Sequence, residues 1–177
     1  MIPIDVSNFA RRFPKLTAAL NTAELEALFE TLDVLEVGAD EALIAEGTMT
    51  DALYLVWDGE LDVSFETPYG EREIARVGPG AFLGEVSLMD PGPATATVTT
   101  QQGCTALSLN HRQLEGLWEA HPHLATVFLQ QLARVVAGRI RAANRYLDEI
   151  LAEEKSILRP NAVVGAHSLL YQVEEGS

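Results

Sequence analysis

The chain is poor in cysteine and in positive charge, and it contains no long apolar run. Its one cysteine, Cys104, excludes an intramolecular disulfide and any four-cysteine metal or iron–sulfur site within a single chain. Lys and Arg number 12 against 26 Asp and Glu, for a net charge of -14. Nucleic-acid affinity comes chiefly from cationic contacts to phosphate, so this balance speaks against direct DNA binding. No stretch reaches the ~20 apolar residues of a membrane span. The start, Met1-Ile-Pro-Ile-Asp5, has no basic region leading into an apolar one and does not read as a signal peptide. A soluble cytoplasmic protein is the expectation. Catalytic patterns are missing too: no nucleophile–base pair, Walker-type loop or paired carboxylates stand out, so no catalytic residue is assigned and no enzyme is expected. His121 and His123 stand two apart, off a shared helix face, and His111 and His167 have no companion ligand, so no metal site is expected.

What is present suits one domain with a proper core: 177 residues, 47% of them hydrophobic. Residues 8–32 read as helical. Asn8, Ser7 or Asp5 is placed to cap a first turn, and Leu25, Leu28, Phe29 and Leu32 after Thr22 give an amphipathic stripe. From Val34 to Leu109 the pattern changes to short alternating runs punctuated by Gly38, Gly47, Asp58-Gly59, Pro68-Tyr-Gly70, Gly78-Pro-Gly80, Pro91-Gly-Pro93 and Gly103. Closely spaced strands without intervening helices predict an antiparallel barrel or roll. Asp58-Gly59, between two apolar runs, predicts a hairpin. Cys104 is expected to be a small buried residue at a strand end.

After Asn110 the helical period returns. Asn110 caps a helix through Trp118 that breaks near Pro122. A long helix then runs from Pro122, suited to a first helical position, to about Leu158, before Pro160. The expected organisation is a roll with its N-terminal helix over residues 1–120, a long dimerisation helix over 121–159 and a tail over 160–177.

Several segments in this order resemble one known family. Ala42-Leu-Ile-Ala-Glu-Gly47 with Asp51-Ala-Leu-Tyr-Leu-Val-Trp-Asp-Gly59, Val77-Gly-Pro-Gly-Ala-Phe-Leu-Gly-Glu85, and the run from Leu114 to Arg139 resemble the cyclic nucleotide-binding domain of bacterial regulators of the catabolite-activator type. The resemblance implies an α+β fold. Its centre is an antiparallel β-roll, jelly-roll-like or double-stranded β-helix, flanked by an N-terminal helix and a long C-terminal helix. Those regulators place a helix-turn-helix domain after the long helix, and the residues that follow Leu158 are too few for one. The expectation is a stand-alone sensor domain.

The resemblance also implies a phosphate-binding cassette, Phe82 to Val98. Gly84, Glu85, Val86 and Ser87 would begin a short helix whose amides and dipole attract an anion, with Glu85 meeting a ribose hydroxyl. Thr95 and Ala96 would serve the phosphate. The position before them, normally arginine in this family, is Ala94. A charge-assisted bond there contributes on the order of 1.5–3 kcal/mol, roughly 10- to 150-fold in affinity. Arg72 and Arg76 lie on one strand and alternation predicts that they share a side. Arg139, on the long helix, is the best candidate for a compensating contact.

Leu129, Leu132, Val136, Ile140, Ala143, Leu147 and Ile150 form a coiled-coil-like seam on that helix, and a second copy is the expected partner. Arg134, Arg139, Arg141 and Arg145 precede Asp148, Glu149, Glu153 and Glu154, which leaves parallel or antiparallel pairing open. Two readings remain. The favoured one is a degenerate domain that acts as a dimeric protein-interaction or signalling module. The other is a binder of cAMP, cGMP or a cyclic dinucleotide through altered contacts. A transcription regulator is the distant third.

Overall fold

The computed structural model of the chain describes residues 2–157. Residues up to Val136 form one compact unit, and a second begins at Ala137. The expected tail from residue 160 lies outside the described residues.

The helical stretch expected over 8–32 is three helices. Asp5 opens α1 (Val6–Arg12) by accepting a bond from the Asn8 amide at 2.8 Å. The helix stops at Phe13 because Pro14 disfavours helical backbone before it and brings no N–H of its own. Pro14 instead starts α2 (Pro14–Thr17). Asn21 then opens α3 (Thr22–Thr31) with a reciprocal capping box, its side chain accepting from the Glu24 amide and the Glu24 carboxylate from the Asn21 amide.

Ten short strands follow: β1 (Asp33–Val37), β2 (Glu41–Ile44), β3 (Met49–Thr50), β4 (Ala52–Asp58), β5 (Leu61–Thr67), β6 (Gly70–Val77), β7 (Phe82–Leu83), β8 (Gly92–Pro93), β9 (Thr97–Thr100) and β10 (Cys104–Asn110). The helix α4 (Glu85–Met89) sits between β7 and β8. Two four-stranded sheets, ordered β1-β10-β4-β7 and β2-β9-β5-β6, and the short pair β3-β8 make the antiparallel roll that the sequence predicts.

Asp58-Gly59 does not form the expected hairpin, since β4 and β5 belong to different sheets. Gly59 adopts φ 88°, and a Cβ there would meet the Gly103 carbonyl oxygen at 2.6 Å. The turn carries the chain from one sheet to the other. The hairpin forms one strand later, where Thr67 faces Gly70 across Pro68-Tyr69.

A bulge in β6 corrects a second expectation. Ser64 faces Glu73 while Val63 faces Ala75, leaving Ile74 as the extra residue. Arg72 therefore lies opposite Phe65, and Arg76 opposite Asp62, three residues apart on β5. The one-residue slip puts the two arginines on opposite faces.

Beyond β10, Asn110 caps α5 (His111–Ala120) through a capping box with Gln113, as the sequence predicts. Pro122 begins α6 (Pro122–Ile157). The main core joins Phe9, Phe13, Leu16 and Leu28 to Leu53, Leu55 and Trp57 of β4, Leu107 and Leu109 of β10, and Leu124, Phe128 and Leu132 of α6. The first turns of α6 thus belong to the compact unit. A smaller cluster of Val56, Leu61, Val63, Val98 and Cys104 fills the space between strands of the two sheets.

Candidate functional site

The cassette is built from β7, α4, β8 and the loop into β9. Gly84 caps α4 at φ 80°, ψ 17°, where a Cβ would stand 2.2 Å from the Ala52 carbonyl oxygen. Only glycine fits this left-handed position against a backbone neighbour. Leu88 is fully buried and anchors α4 in the core, while Val86 and Met89 are exposed. Glu85 and Ser87 are half-buried on the same short helix.

Ala94 is buried, and both of its backbone groups are committed. Its N–H donates to the Thr48 carbonyl at 2.8 Å, and its carbonyl accepts from the Gly47 N–H at 2.8 Å. The same loop is tied again by Glu46, whose N–H donates to Thr97 Oγ1 at 3.1 Å and whose carboxylate accepts from the Glu66 N–H at 2.8 Å. Thr95 is exposed and Ala96 half-buried. Thr97 is an ordinary strand residue whose hydroxyl serves the fold.

Gly84, Glu85, Val86 and Ser87 thus lie at the start of α4, and Ala94, Thr95 and Ala96 in the loop between β8 and β9. Positive charge is sparse along this part of the sequence. Between residues 34 and 121 the cationic side chains are Arg72, Arg76 and Arg112, against fifteen Asp and Glu. Arg76 is bonded to Asp62, which holds the guanidinium pKa above its ordinary value. Asp62 also accepts from Gln101 Nε2 at 2.8 Å. Arg139 is exposed and lies in the unit that begins at Ala137.

The expected seam divides. Leu132 is 0% exposed in the core, so it is not an interface residue: its place on the inner side of α6 is taken up by Phe128 and Leu124 as neighbours. Leu129 and Val136 are half-buried, whereas Ile140, Ala143 and Leu147 are exposed. The side chain of Ile150 lies outside those described. Cys104 is 6% exposed, and burial, with the Glu36 charge second, raises its thiol pKa.

Two features escaped the sequence reading. His111 Nδ1 lies 2.8 Å from the Leu88 carbonyl oxygen, so Nδ1 carries the proton and joins α5 to the end of α4. Its Nε2 is 3.7 Å from Glu115 Oε1. Beside it, a groove of about 550 Å³ is lined by Met89, Leu114, Trp118, Leu129 and Ala133, with His111 and Glu115. The exposed Met89 and Trp118 would have flagged it only once α4 and α5 were known to be neighbours.

An antiparallel roll holding a glycine-initiated short helix and a return loop, followed by α5 and α6, is the architecture of a cyclic nucleotide-binding-type regulatory β-roll. The chain belongs to the cyclic nucleotide-binding domain family, whose profile residues 34–121 match. It is 29% identical over 128 residues to a CRP-like cAMP-activated global transcriptional regulator of Mycobacterium tuberculosis, covering 72% of this chain and 55% of that protein. It is 34% identical over 111 residues to the cyclic AMP receptor protein of Thermus thermophilus, covering 62% and 49%. The crystal structure of the N-terminal domain of a transcriptional regulator from Streptomyces coelicolor A3(2) superposes with a TM-score of 0.66 at 34% identity, covering 76% of this chain and 92% of that one. The chain spans about half the length of the two curated relatives. Among the described residues, no helix is long and apolar enough to cross a membrane.

Proposed function

We propose that this chain is a regulatory module whose cassette has lost its cationic phosphate contact, and that it acts as a homodimeric protein-interaction or signalling unit without enzymatic activity. The observation that carries this reading is Ala94, a buried methyl with both backbone groups bonded to the 47–48 segment, at the position where the family resemblance implies arginine. A cyclic phosphate at the start of α4 would meet amides and hydroxyls, with Glu85 in the same turn and no cation from position 94. In this reading the chain itself does not contact nucleic acid, consistent with its net charge of -14. α6 supplies the contact between copies through Ile140, Ala143 and Leu147.

A second reading is supported by Gly84, whose left-handed backbone and tight approach to Ala52 preserve the cassette's geometry. The chain would then bind a cyclic mono- or dinucleotide through Glu85, Thr95 and Ala96. Transcription regulation, the role in the names of two relatives, stands third. Calorimetric titration with cyclic mono- and dinucleotides separates the first two. Weak or absent binding is expected, and submicromolar affinity for any of them would overturn the first reading.

A further inference from the structure

The end of α4 and the sides of α5 and α6 line an apolar groove of about 550 Å³, within the compact unit that ends at Val136. α5 presents His111, Leu114, Glu115 and Trp118 to it, and α6 presents Thr126, Leu129, Gln130 and Ala133. Each row runs i, i+3, i+4, i+7, which is two turns of helix or about 10 Å. Leu114 is buried and Leu129 half-buried, whereas Met89 and Trp118 are 40% and 49% exposed. The groove therefore holds apolar surface that the compact unit does not cover.

Two of its polar groups are already spent. His111 Nδ1 donates to the Leu88 carbonyl, and the Thr126 hydroxyl donates to the Pro122 carbonyl at 2.7 Å. Glu115 is different. Among the described residues, its neighbour at ion-pair range is His111 Nε2 at 3.7 Å, a lone pair in the neutral ring. Exposed carboxylates follow Met89 and Trp118 directly in the chain, at Asp90 and Glu119. Arg112 and Arg134 are exposed on the same two helices but do not line the groove.

We propose that the groove receives an amphipathic helix of a partner protein. Its apolar side chains at i, i+3 or i+4, and i+7 seat between α5 and α6, and a lysine or arginine is set against Glu115. This rests on the reading of the chain as a protein-interaction module and names the chemistry of the partner. The site shares no residue with Ile140, Ala143 and Leu147, the positions assigned to the contact between copies.

The form of the walls selects a helix. An extended peptide binds by pairing its backbone with an exposed strand edge, and helical walls have their backbone groups bonded internally. A small-molecule site gathers several convergent polar groups, and this groove offers one carboxylate. A helix needs only apolar contact along two turns, with Trp118 and Met89 as adaptable anchors. The occupant's charge follows from Glu115 and from the net charge of -14, which attract a basic face and repel an acidic one.

Fluorescence anisotropy on the full chain tests the site with three labelled synthetic peptides of about 12 residues, three turns of helix. The first carries leucines at the stated spacing and a single lysine beside them, on an alanine and glutamine background. The second has glutamate for that lysine, and the third keeps the first composition with the leucines spread round the helix. The lysine peptide should bind saturably, about threefold or more tightly than the glutamate peptide and about tenfold more tightly than the scattered one. Trp118→Ala should weaken it about tenfold. Ala133→Arg, at an exposed position, fills the groove without entering the core and should weaken it as much. Attraction to an acidic chain as a whole would mimic the charge preference, so Glu115→Lys decides the matter. It should reverse the preference between the lysine and glutamate peptides, while Glu66→Lys, exposed on β5, should leave it unchanged. Equal binding of the scattered peptide, a preference that Glu115→Lys does not alter, affinity unchanged by Trp118→Ala and Ala133→Arg, or no saturable binding would each overturn the groove as a helix site. Each would leave protein interaction through another surface standing. That broader reading falls instead to submicromolar affinity for a cyclic nucleotide, measured on the same protein by calorimetry.

Discussion

His111 Nδ1 and the Leu88 carbonyl oxygen stand 2.8 Å apart, and this bond joins the last turn of α4 to the first residue of α5. The Leu88 side chain is buried in the core, so the bond fixes the carbonyl end of an anchored turn.

Removing that bond should loosen α4 without disturbing the roll. His111→Phe keeps an aromatic ring and loses the donor, and the expected cost is about 1 kcal/mol. Urea unfolding reads the stability, and hydrogen exchange reads the α4 amides. Faster exchange at Leu88 and Asp90 with an unchanged sheet is the expected pattern. Unchanged α4 protection would mean that the core anchor alone holds the turn.

Ala94→Arg should restore what the cassette lacks. With Gly84 in its left-handed position and Glu85 at the start of α4, an added guanidinium is expected to raise cyclic AMP affinity about tenfold or more. Calorimetry on both proteins measures the ratio. No gain would show that the cation is not the missing element and that the site is closed in another way, with the Ala94 clamp to Thr48 and Gly47 as the first suspect.

Ile140→Glu should separate the copies without unfolding the chain. Ile140 is 55% exposed, so the charge costs the fold little, yet in a helix pair it would be buried in an apolar contact. Sedimentation should show a monomer with unchanged helical circular dichroism. A variant that stays dimeric would remove the 136–147 stripe as the interface. Leu132→Glu is a useful contrast: at 0% exposure it should unfold the compact unit.

Glu24 gives the fold a predictable response to acid. Its carboxyl pKa is lowered, first by the hydrogen bond from the Asn21 amide and then by His123. A lowered folded-state pKa stabilises above the carboxyl's ordinary value, and the effect is lost as the pH falls through the folded-state value. Glu24→Gln should therefore lower the melting temperature near neutrality, with the difference closing in strong acid. A difference independent of pH would assign the effect to the cap's shape rather than its charge.

The parts of the fold that were legible in the sequence are those decided locally. Asn110 and Pro122 mark their helices because a capping side chain and a missing N–H act within one turn. The roll was legible as a class, from spacing alone. Asp58-Gly59 was misread because a positive φ specifies a turn and not the strand that answers it: the partners of β4 are β10, some fifty residues away, and β7. The slip between Arg72 and Arg76 comes from one unpaired residue, Ile74, which alternation cannot reveal. Helical periodicity found the stripe on α6, but it could not say that Leu132 turns into the core while Ala133 stays outside. The cassette was legible as a sequence of residue types. Its clamp to the 46–48 segment was not, since those bonds join residues nearly fifty positions apart.

Two glycines should respond oppositely to the same change. Gly84 holds φ 80° with the Ala52 carbonyl oxygen 2.2 Å from where a Cβ would stand, so Gly84→Ala adds left-handed strain and a backbone clash. The expected loss is about 3 kcal/mol, and any residual ligand affinity should fall with it. Gly138 is exposed within α6, with nothing within 4 Å of the added carbon. There alanine supplies helix propensity at no steric cost, and Gly138→Ala should stabilise the helix by about 1 kcal/mol. It also lies off the Leu129–Leu147 stripe, so the dimer should persist. Circular dichroism and sedimentation on the two variants check both signs. A Gly138→Ala chain that loses its dimer would mean that the helix backbones approach each other on that side, and the face assigned to the pair would then have to change.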